Sequence, residues 1–244
     1  MIKTIDDVYQ GINYRLVFHD KSEDKPIIFF FHGFLANRLS TTWDKEYELA
    51  KMGYTVLLID AFLHGGRMTE EFKDLPQEIK RQMMIDIQIQ TADDVLIIYQ
   101  YLVQEKILGK DQRLGLMGVS MGAGTAFYLA SIFPKAELLV SIVGSPSFVE
   151  MYQERKATYN FPKDEKEELR LQRYSELDPL INSERLKAKK IMMVVGKNDQ
   201  IVPLKYAKEL AAKIPCLYRE YETGHDSTPL MMEDVYQFIQ DNLL

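Results

Sequence analysis

A serine stands between two glycines in the segment Gly118-Val-Ser120-Met-Gly122, directly after a short apolar run. A serine on a tight turn from a strand into a helix is held in a strained backbone conformation that exposes its hydroxyl. The glycines suit such a turn because strand and helix pass too close there for larger side chains. The pattern predicts a nucleophilic serine. The alternative is a turn that only packs well or binds an anion at the helix start.

A serine hydroxyl is a weak nucleophile, so it needs a base to accept its proton and a carboxylate to hold that base in one tautomer. Asp199 follows the apolar run at 191–195, and His225 follows the last apolar run, at 217–221. Either residue by itself is equally well explained as an ordinary loop residue. Because both follow strand-like runs, as Ser120 does, we expect all three side chains at one sheet edge, as a catalytic triad.

Two backbone N–H groups are placed to stabilise an oxyanion. Met121 directly follows the serine, and Phe34 ends the segment Phe31-His32-Gly33-Phe34 after another apolar run. Gly33 allows the backbone of that segment to turn its amides toward the serine. We interpret His32 as a brace for this loop through side-chain hydrogen bonds rather than as a second base.

Apolar runs of the kind found in buried strands recur along the chain. They lie at 12–18, 26–31, 55–59, 114–117, 138–143, 191–195 and 217–221. Helical patterns lie between them, at 40–52, from 76 to about 107, directly after Ser120, at 204–213 and at 229–242. This alternation predicts an α/β fold with a mainly parallel central sheet and helices on both faces.

The stretch from Gly144 to about Lys190 interrupts the alternation and is too long for a simple connection. We expect a small helical cap at about 145–188, inserted before the strand that carries Asp199, within a single domain at 1–244. A solvated helical excursion without substrate contact is the alternative. The predicted substrate-binding residues are aromatic or imidazole side chains near the expected site: His64, Phe148, Tyr152, Tyr159 and Phe161.

Several acidic side chains have a simpler interpretation than catalysis. Asp60 is expected to brace a loop by accepting hydrogen bonds from backbone amides. Asp86, Asp93 and Asp94 belong to the long helical pattern and are interpreted as a solvated face.

Composition excludes several classes of protein. Hydrophobic residues make up 46% of the 244 residues, and the net charge of −6 comes with no basic cluster that could line a nucleic-acid groove. The single Cys216 and four histidines without ligand spacing predict no metal site, and no glycine-rich segment has a nucleotide-binding pattern. Acidic residues near the start and the absence of long apolar runs predict no secretory leader, no membrane insertion and a cytoplasmic location.

The chain resembles the α/β-hydrolase superfamily over essentially its whole catalytic domain. The matching segments are His32-Gly33-Phe34, Asp60-Ala-Phe-Leu-His64-Gly65, the serine turn, Gly196-Lys-Asn-Asp199 and Gly224-His225. Within the superfamily it is similar to small bacterial serine esterases near the dienelactone hydrolase and prolyl oligopeptidase branch. The order serine, acid, histidine along the chain is also the order in this superfamily.

The resemblance implies Ser120 as nucleophile, His225 as general base and then acid, Asp199 as the orienting carboxylate, and the amides of Phe34 and Met121 as the oxyanion hole. It also implies a cap that shapes substrate choice. The expected function is cleavage of short acyl or aryl carboxylic esters through an acyl-enzyme, without a cofactor. A peptidase or amidase with the same triad, and a non-catalytic binding module, are the alternatives. The expected partners are a small-molecule ester and a second copy of the chain in a homodimer.

Overall fold

The computed structural model describes residues 1–20, 24–40, 44–187 and 189–244. Within that part of the chain, eight strands form one sheet in the order β1-β2-β4-β3-β5-β6-β7-β8. The β1–β2 and β2–β4 pairs are antiparallel, and all pairs from β4 onward in that order are parallel. The strands are β1 (Ile2–Tyr9), β2 (Ile12–His19), β3 (Ile27–Phe31), β4 (Thr55–Ile59), β5 (Leu114–Val119), β6 (Ala136–Ile142), β7 (Lys190–Gly196) and β8 (Leu217–Tyr221).

Helices cover both faces of this sheet. The α4, α5 and α8 helices pack on one face, and α1 and α9 pack on the other. Because β3 and β4 are buried along their whole length, both read as continuous apolar runs rather than alternating patterns. The helices are α1 (Lys45–Lys51), α2 (Glu70–Asp74), α3 (Gln77–Gln82), α4 (Met84–Gln104), α5 (Met121–Ile132), α6 (Val149–Tyr159), α7 (Glu167–Leu177), α8 (Lys205–Lys213) and α9 (Pro229–Leu243). The predicted α/β architecture is confirmed.

The register of the parallel strands places several loops at one edge of the sheet. Phe31 at the end of β3 pairs with Gly118 near the end of β5. Gly196 at the end of β7 likewise pairs with Tyr221 at the end of β8. The loops that follow these four strands therefore leave the sheet on the same side, which is where ligands bind in open α/β sheets.

Some elements differ from the sequence-based expectations. The first strand, β1, was not predicted because its residues alternate weakly and are largely exposed at the sheet edge. The long helical pattern after position 76 forms two helices, α3 and α4, which meet at Met83. For the first predicted helix, at 40–52, positions 41–43 lie outside the described residues, and α1 begins at Lys45.

The predicted cap consists of α6 and α7, between β6 and β7. The side chain of Asp178 joins the two ends of the cap by hydrogen bonds. One oxygen of this buried carboxylate accepts hydrogen bonds from the backbone N–H groups of Phe148 (2.8 Å) and Val149 (2.9 Å). The other oxygen accepts from those of Leu180 (2.8 Å) and Ile181 (3.2 Å). The start of α6 and the segment after α7 are therefore held by one side chain.

The interpretation of α4 as carrying three solvated aspartates is wrong at two positions. Asp94 is buried and forms an ion pair with Arg67 at 2.6 Å. Asp86 accepts a hydrogen bond of 3.0 Å from the hydroxyl of Tyr174 and pairs with Arg170, so it anchors α7 of the cap. Only Asp93 of the three is exposed. The tertiary partners of Asp86 and Asp94 come from distant segments, which helical spacing does not reveal.

Candidate active site

Ser120 lies on the turn between β5 and α5 with φ 55° and ψ −114°, a conformation that non-glycine residues rarely adopt. A Cβ atom on Gly118 would collide with the carbonyl of Gly122, and a Cβ on Gly122 would collide with the carbonyl of Phe31. Both glycines are thus required by close packing. Strain of this kind persists where the surrounding structure enforces it, most often at functional sites.

A continuous chain of hydrogen bonds joins the three residues of the predicted triad. Ser120 Oγ lies 2.8 Å from Nε2 of His225, and Nδ1 of the same ring lies 2.7 Å from Oδ2 of Asp199. A carboxylate can only accept, so Nδ1 carries the proton that is donated to it. Nε2 is then free to accept the proton of the serine hydroxyl.

The carboxylate of Asp199 is held from both sides. Its Oδ1 atom accepts hydrogen bonds from the backbone N–H groups of Ile201 (2.8 Å) and Val202 (2.9 Å). Burial alone would raise the pKa of Asp199, but hydrogen bonds from His225 and from these two amides outweigh it and lower the pKa. The carboxylate therefore keeps its charge beside the imidazole, where it favours an imidazolium.

The loops that carry the acid and the histidine are joined beyond the strand ends. The N–H of Lys197 donates to the carbonyl of Tyr221 (2.9 Å), and the N–H of Asn198 donates to that of Thr223 (3.0 Å). These bonds continue the pairing of β7 and β8 past the last strand residues. The sheet itself thus sets the distance between Asp199 and His225.

The loop after β3 lies against the serine. A Cβ atom on Gly33 would stand 3.8 Å from Cβ of Ser120, which is ordinary van der Waals contact. Within the described chain, the N–H groups of Phe34 and Met121 have no hydrogen-bond acceptor. The buried side chain of Gln88 donates to the carbonyl of Met121 at 2.8 Å and so fixes the start of α5. Two backbone amides, one next to Ser120 in the chain and one next to Gly33, therefore have no acceptor among the residues that the structure describes.

His32 supports this loop, as the sequence predicted. Its Nδ1 donates to the carbonyl of Gly33 (2.8 Å), and its Nε2 accepts from the N–H of Ala61 (2.9 Å). Burial lowers the pKa of His32 to about 4, so the ring stays neutral and can make both bonds. The brace interpretation is confirmed.

Asp60 is a second brace, also as expected. Its buried carboxylate accepts hydrogen bonds of 2.8 Å from the N–H groups of Arg38 and Gly66, and it pairs with the Arg38 guanidinium at 2.7 Å. His64 is fully buried beside it and donates from Nδ1 to the carbonyl of Phe62 at 2.9 Å. The His64 ring packs against Phe34 with centroids 5.5 Å apart. It therefore contacts the segment at 32–34 after β3, called the predicted oxyanion loop because it carries the Phe34 amide.

Three of the predicted substrate-binding residues of the cap lie in its packed interior. Phe148, Tyr152 and Phe161 are buried, and the Tyr152 ring packs edge to face against Phe161 with centroids 5.6 Å apart. These rings attach the cap to the sheet. Tyr159 is half-buried and borders a cleft between α6 and the loop after Asp199. Substrate contact by these residues and by His64 stays a prediction.

Sequence reasoning missed the polar side chains that surround the site from α3 and α4. Gln88 and Arg81 belong to helical segments in which polar residues have the spacing of ordinary solvent-exposed residues. Arg81 lies over the ring of Phe34, with 5.5 Å between the guanidinium carbon and the ring centroid. Among the described residues, no group of three or more His, Cys, Asp or Glu side chains is arranged to hold a metal ion.

The profile of the prolyl oligopeptidase family matches residues 41–233. The chain belongs to the prolyl oligopeptidase family. This membership and the sheet topology identify it as a hydrolytic enzyme with the α/β-hydrolase fold. None of its described helices is both long and apolar enough to span a membrane.

Individual proteins and solved structures are similar to this chain over most of its length. A Bacillus subtilis (strain 168) protein named "Putative esterase YitV" is 23% identical over 229 residues, which cover 90% of this chain and 87% of that protein. The structure of an acetyl xylan esterase from Paenibacillus sp. R4 has a TM-score of 0.75 at 18% identity and covers 100% of this chain and 88% of its own. A Mycobacterium tuberculosis puromycin-hydrolyzing peptidase has a TM-score of 0.74 at 19% identity, covering 99% of this chain and 39% of its own.

Proposed function

We propose that this chain is a serine carboxylesterase with Ser120, His225 and Asp199 as its catalytic triad. The observation that carries the proposal is the unbroken hydrogen-bond chain from Asp199 through the imidazole to the serine hydroxyl, at 2.7 and 2.8 Å. The hydroxyl sits on a strained turn that presents it at the sheet edge. A base oriented by a carboxylate beside such a serine is the arrangement that acyl transfer requires.

The geometry supports a two-step reaction. Ser120 Oγ attacks the ester carbonyl while Nε2 of His225 takes the hydroxyl proton, which forms a tetrahedral oxyanion. The N–H groups of Phe34 and Met121 stabilise that oxyanion by hydrogen bonds that strengthen as charge develops. His225 then protonates the departing alcohol, leaving an acyl-serine. Water, deprotonated by the same imidazole, attacks the acyl-serine and releases the acid.

Esters are the proposed substrates because the Bacillus subtilis relative is named as an esterase and matches most of both chains. The short acyl or aryl groups expected from the sequence remain part of this proposal. A cytoplasmic location, a single domain and a homodimer stay predictions.

Replacement of the nucleophile tests the proposal. Ser120→Ala is expected to lower kcat on 4-nitrophenyl acetate by about a millionfold, because the three triad residues act as one unit. It is also expected to abolish labelling by a fluorophosphonate probe. The matched control is Ser131→Ala on α5, the helix that follows Ser120; the Ser131 hydroxyl donates to the carbonyl of Tyr128 at 2.7 Å. Ester turnover retained by folded Ser120→Ala, or lost equally in the control, would contradict the assignment.

Family membership gives a second candidate, a peptidase or amidase that uses the same triad. Amide cleavage differs because the leaving amine must be protonated more completely before it departs. Matched 4-nitrophenyl ester and 4-nitroanilide substrates with one acyl group separate the two activities. A kcat/KM for the anilide that equals or exceeds that for the ester would favour the peptidase.

A further inference from the structure

Arg81 on α3 bridges the predicted oxyanion loop and the cap. Its guanidinium carbon lies 5.5 Å from the ring centroid of Phe34 and 4.3 Å from that of Tyr159 on α6. Phe34 directly follows Gly33, which contacts the serine turn. The cation is therefore held by two aromatic faces beside the site, where a planar guanidinium keeps its outward N–H groups oriented.

Arg155 on α6 borders the same region. It lines a cleft of about 310 Å³ between α6 and the loop after Asp199, and the other residues that line this cleft include Glu154, Tyr159, Gln200, Ile201 and Pro203. Burial, followed by repulsion from Arg81, lowers the pKa of Arg155 to about 10. Both arginines thus border Tyr159, since Arg81 lies over its ring and Arg155 lines the same cleft as Tyr159.

Neither guanidinium forms a direct ion pair with a carboxylate of the described chain. Within the described parts of the chain, the guanidinium groups of Arg81 and Arg155 form no ion pair and no hydrogen bond. Glu154 lines the same cleft and attracts the Arg155 cation, but its carboxylate is itself paired with Lys205. By contrast, Arg67 and Arg170 each pair with an aspartate of α4. Two partly buried, unpaired arginines in a protein of net charge −6 leave a local site for an anion.

We infer that Arg81 and Arg155 form an anion-binding subsite that selects esters carrying a carboxylate group. This inference rests on the proposed esterase function, because it names the substrate class of the same site. A carboxylate bound between the two arginines would relieve their mutual repulsion and accept charge-assisted hydrogen bonds from both. Tyr159 would pack against the carbon chain between that carboxylate and the scissile ester.

Two pairs of esters test the inference and locate the charge. In the first pair, 4-acetoxybenzoate carries the carboxylate on its leaving group, and methyl 4-acetoxybenzoate is the neutral partner. In the second, 4-nitrophenyl hydrogen adipate carries it on the acyl group, and methyl 4-nitrophenyl adipate is neutral. Each rate is divided by that of hydroxide-catalysed hydrolysis. We expect kcat/KM to be at least about tenfold higher for the charged member of one pair.

Variants assign that preference to the two arginines. Arg81→Met and Arg155→Met are each expected to lower kcat/KM for the charged ester about tenfold while the neutral ester changes less than about twofold. Arg81→Lys, which keeps the charge, should retain part of the preference. Arg185→Met is the control because it removes one positive charge from the segment before β7, at the opposite end of that strand from Asp199. Thermal unfolding verifies that each variant is folded.

The outcomes separate this inference from the proposed function. If the unsubstituted protein cleaves the neutral esters but shows no preference in either pair, or if the preference survives both Met variants, the subsite is overturned and the esterase stands. If it cleaves no ester, the proposed function fails, and calorimetric titration with monomethyl adipate and dimethyl adipate decides the subsite. Binding of the monoanion that weakens at least about fivefold in Arg81→Met supports it, and equal binding of both compounds overturns it.

Discussion

The α-carbon of Gly196 lies directly against the carbonyl oxygen of Gly224, so that a Cβ atom on Gly196 would collide with it. Gly196 ends β7, and the loop with Asp199 begins there. Gly224 precedes His225. The two loops that must meet for the imidazole to reach its carboxylate are therefore in backbone contact, and only hydrogen fits between them on the Gly196 side.

Gly196→Ala is expected to lower both activity and stability. The added methyl group must push the two loops apart, and overpacking of this kind costs about 1–3 kcal/mol in the free energy of unfolding. A displacement of the imidazole by about 1 Å should lower kcat by roughly a hundredfold. Ester kinetics and urea unfolding measure the two effects.

Gly224→Ala is the matched control, since its Cβ would meet only the carbonyl oxygen of Asn198, at 3.9 Å. We expect a change of less than about 0.5 kcal/mol in unfolding and little change in kcat. Equal losses in the two variants would show that the contact at Gly196 does not set the loop spacing.

Asp199→Asn should abolish most activity through the tautomer of His225. The two amides that bond to Oδ1 require an acceptor, so the asparagine oxygen will take that position and its NH2 group will face Nδ1. The ring must then carry its proton on Nε2, where it cannot accept the serine proton. A fall in kcat of about ten-thousandfold is expected.

Asp226→Asn removes the same charge one residue from the imidazole without touching this hydrogen bond. Its Oδ1 accepts from the N–H of Ser227, and the residue is exposed. A kcat within about tenfold of the unsubstituted protein is expected. Activity of Asp199→Asn that matches this control would mean that the carboxylate does not orient the ring.

The lowered pKa of His32 predicts that the protein loses stability in mild acid. Its pKa is about 4 in the folded protein and near 6.5 when exposed, so below pH 6.5 the unfolded chain binds a proton that the folded chain does not. The stabilisation by neutral His32 is therefore complete above pH 6.5 and is lost as pH falls toward 4, to a total of about 3 kcal/mol. Urea unfolding at several pH values measures this slope.

His32→Gln cannot titrate and should show a shallower dependence on pH between 6.5 and 4. Its stability should be lower above pH 6.5, because glutamine cannot make both of the imidazole's hydrogen bonds to Gly33 and Ala61, and this difference should narrow as pH falls toward 4. Parallel curves for this variant and the unsubstituted protein would assign the acid sensitivity to other groups.

Asp178→Ala is expected to destabilise the cap. Removal of the carboxylate leaves the N–H groups of Phe148, Val149 and Leu180 without their acceptor in a buried region. Unsatisfied buried donors cost about 1–3 kcal/mol each before water enters, so we expect a loss of about 3 kcal/mol in unfolding. Limited proteolysis should cut the variant first within the cap.

The control for the cap is Glu184→Ala, an exposed acid in the short helical turn before β7. Its stability should change by less than about 0.5 kcal/mol. An Asp178→Ala protein that unfolds and resists proteolysis as the control does would show that the cap is fastened elsewhere.

Local patterns predicted the sheet because buried strands differ visibly from the helices between them. The strand at 55–59 was predicted with the bounds the structure has, since every residue of β4 is apolar or buried. β1 was missed because this edge strand is exposed on both faces, so its apolar and polar residues do not alternate clearly. The division at Met83 was missed because α3 joins α4 directly, with no proline or glycine between them to mark a boundary.

The sequence by itself determined the α/β fold class and singled out Ser120, Asp199 and His225, because each follows a strand and strand ends share an edge. Their meeting at 2.7 and 2.8 Å, and the placement of the aromatic cap residues in its interior, were decided only by tertiary structure. So was the unpaired state of Arg81 and Arg155. The physical reason is that burial and ion pairing depend on which distant segments pack together. The spacing of residues along the chain shows only which side chains share a face of one helix or strand.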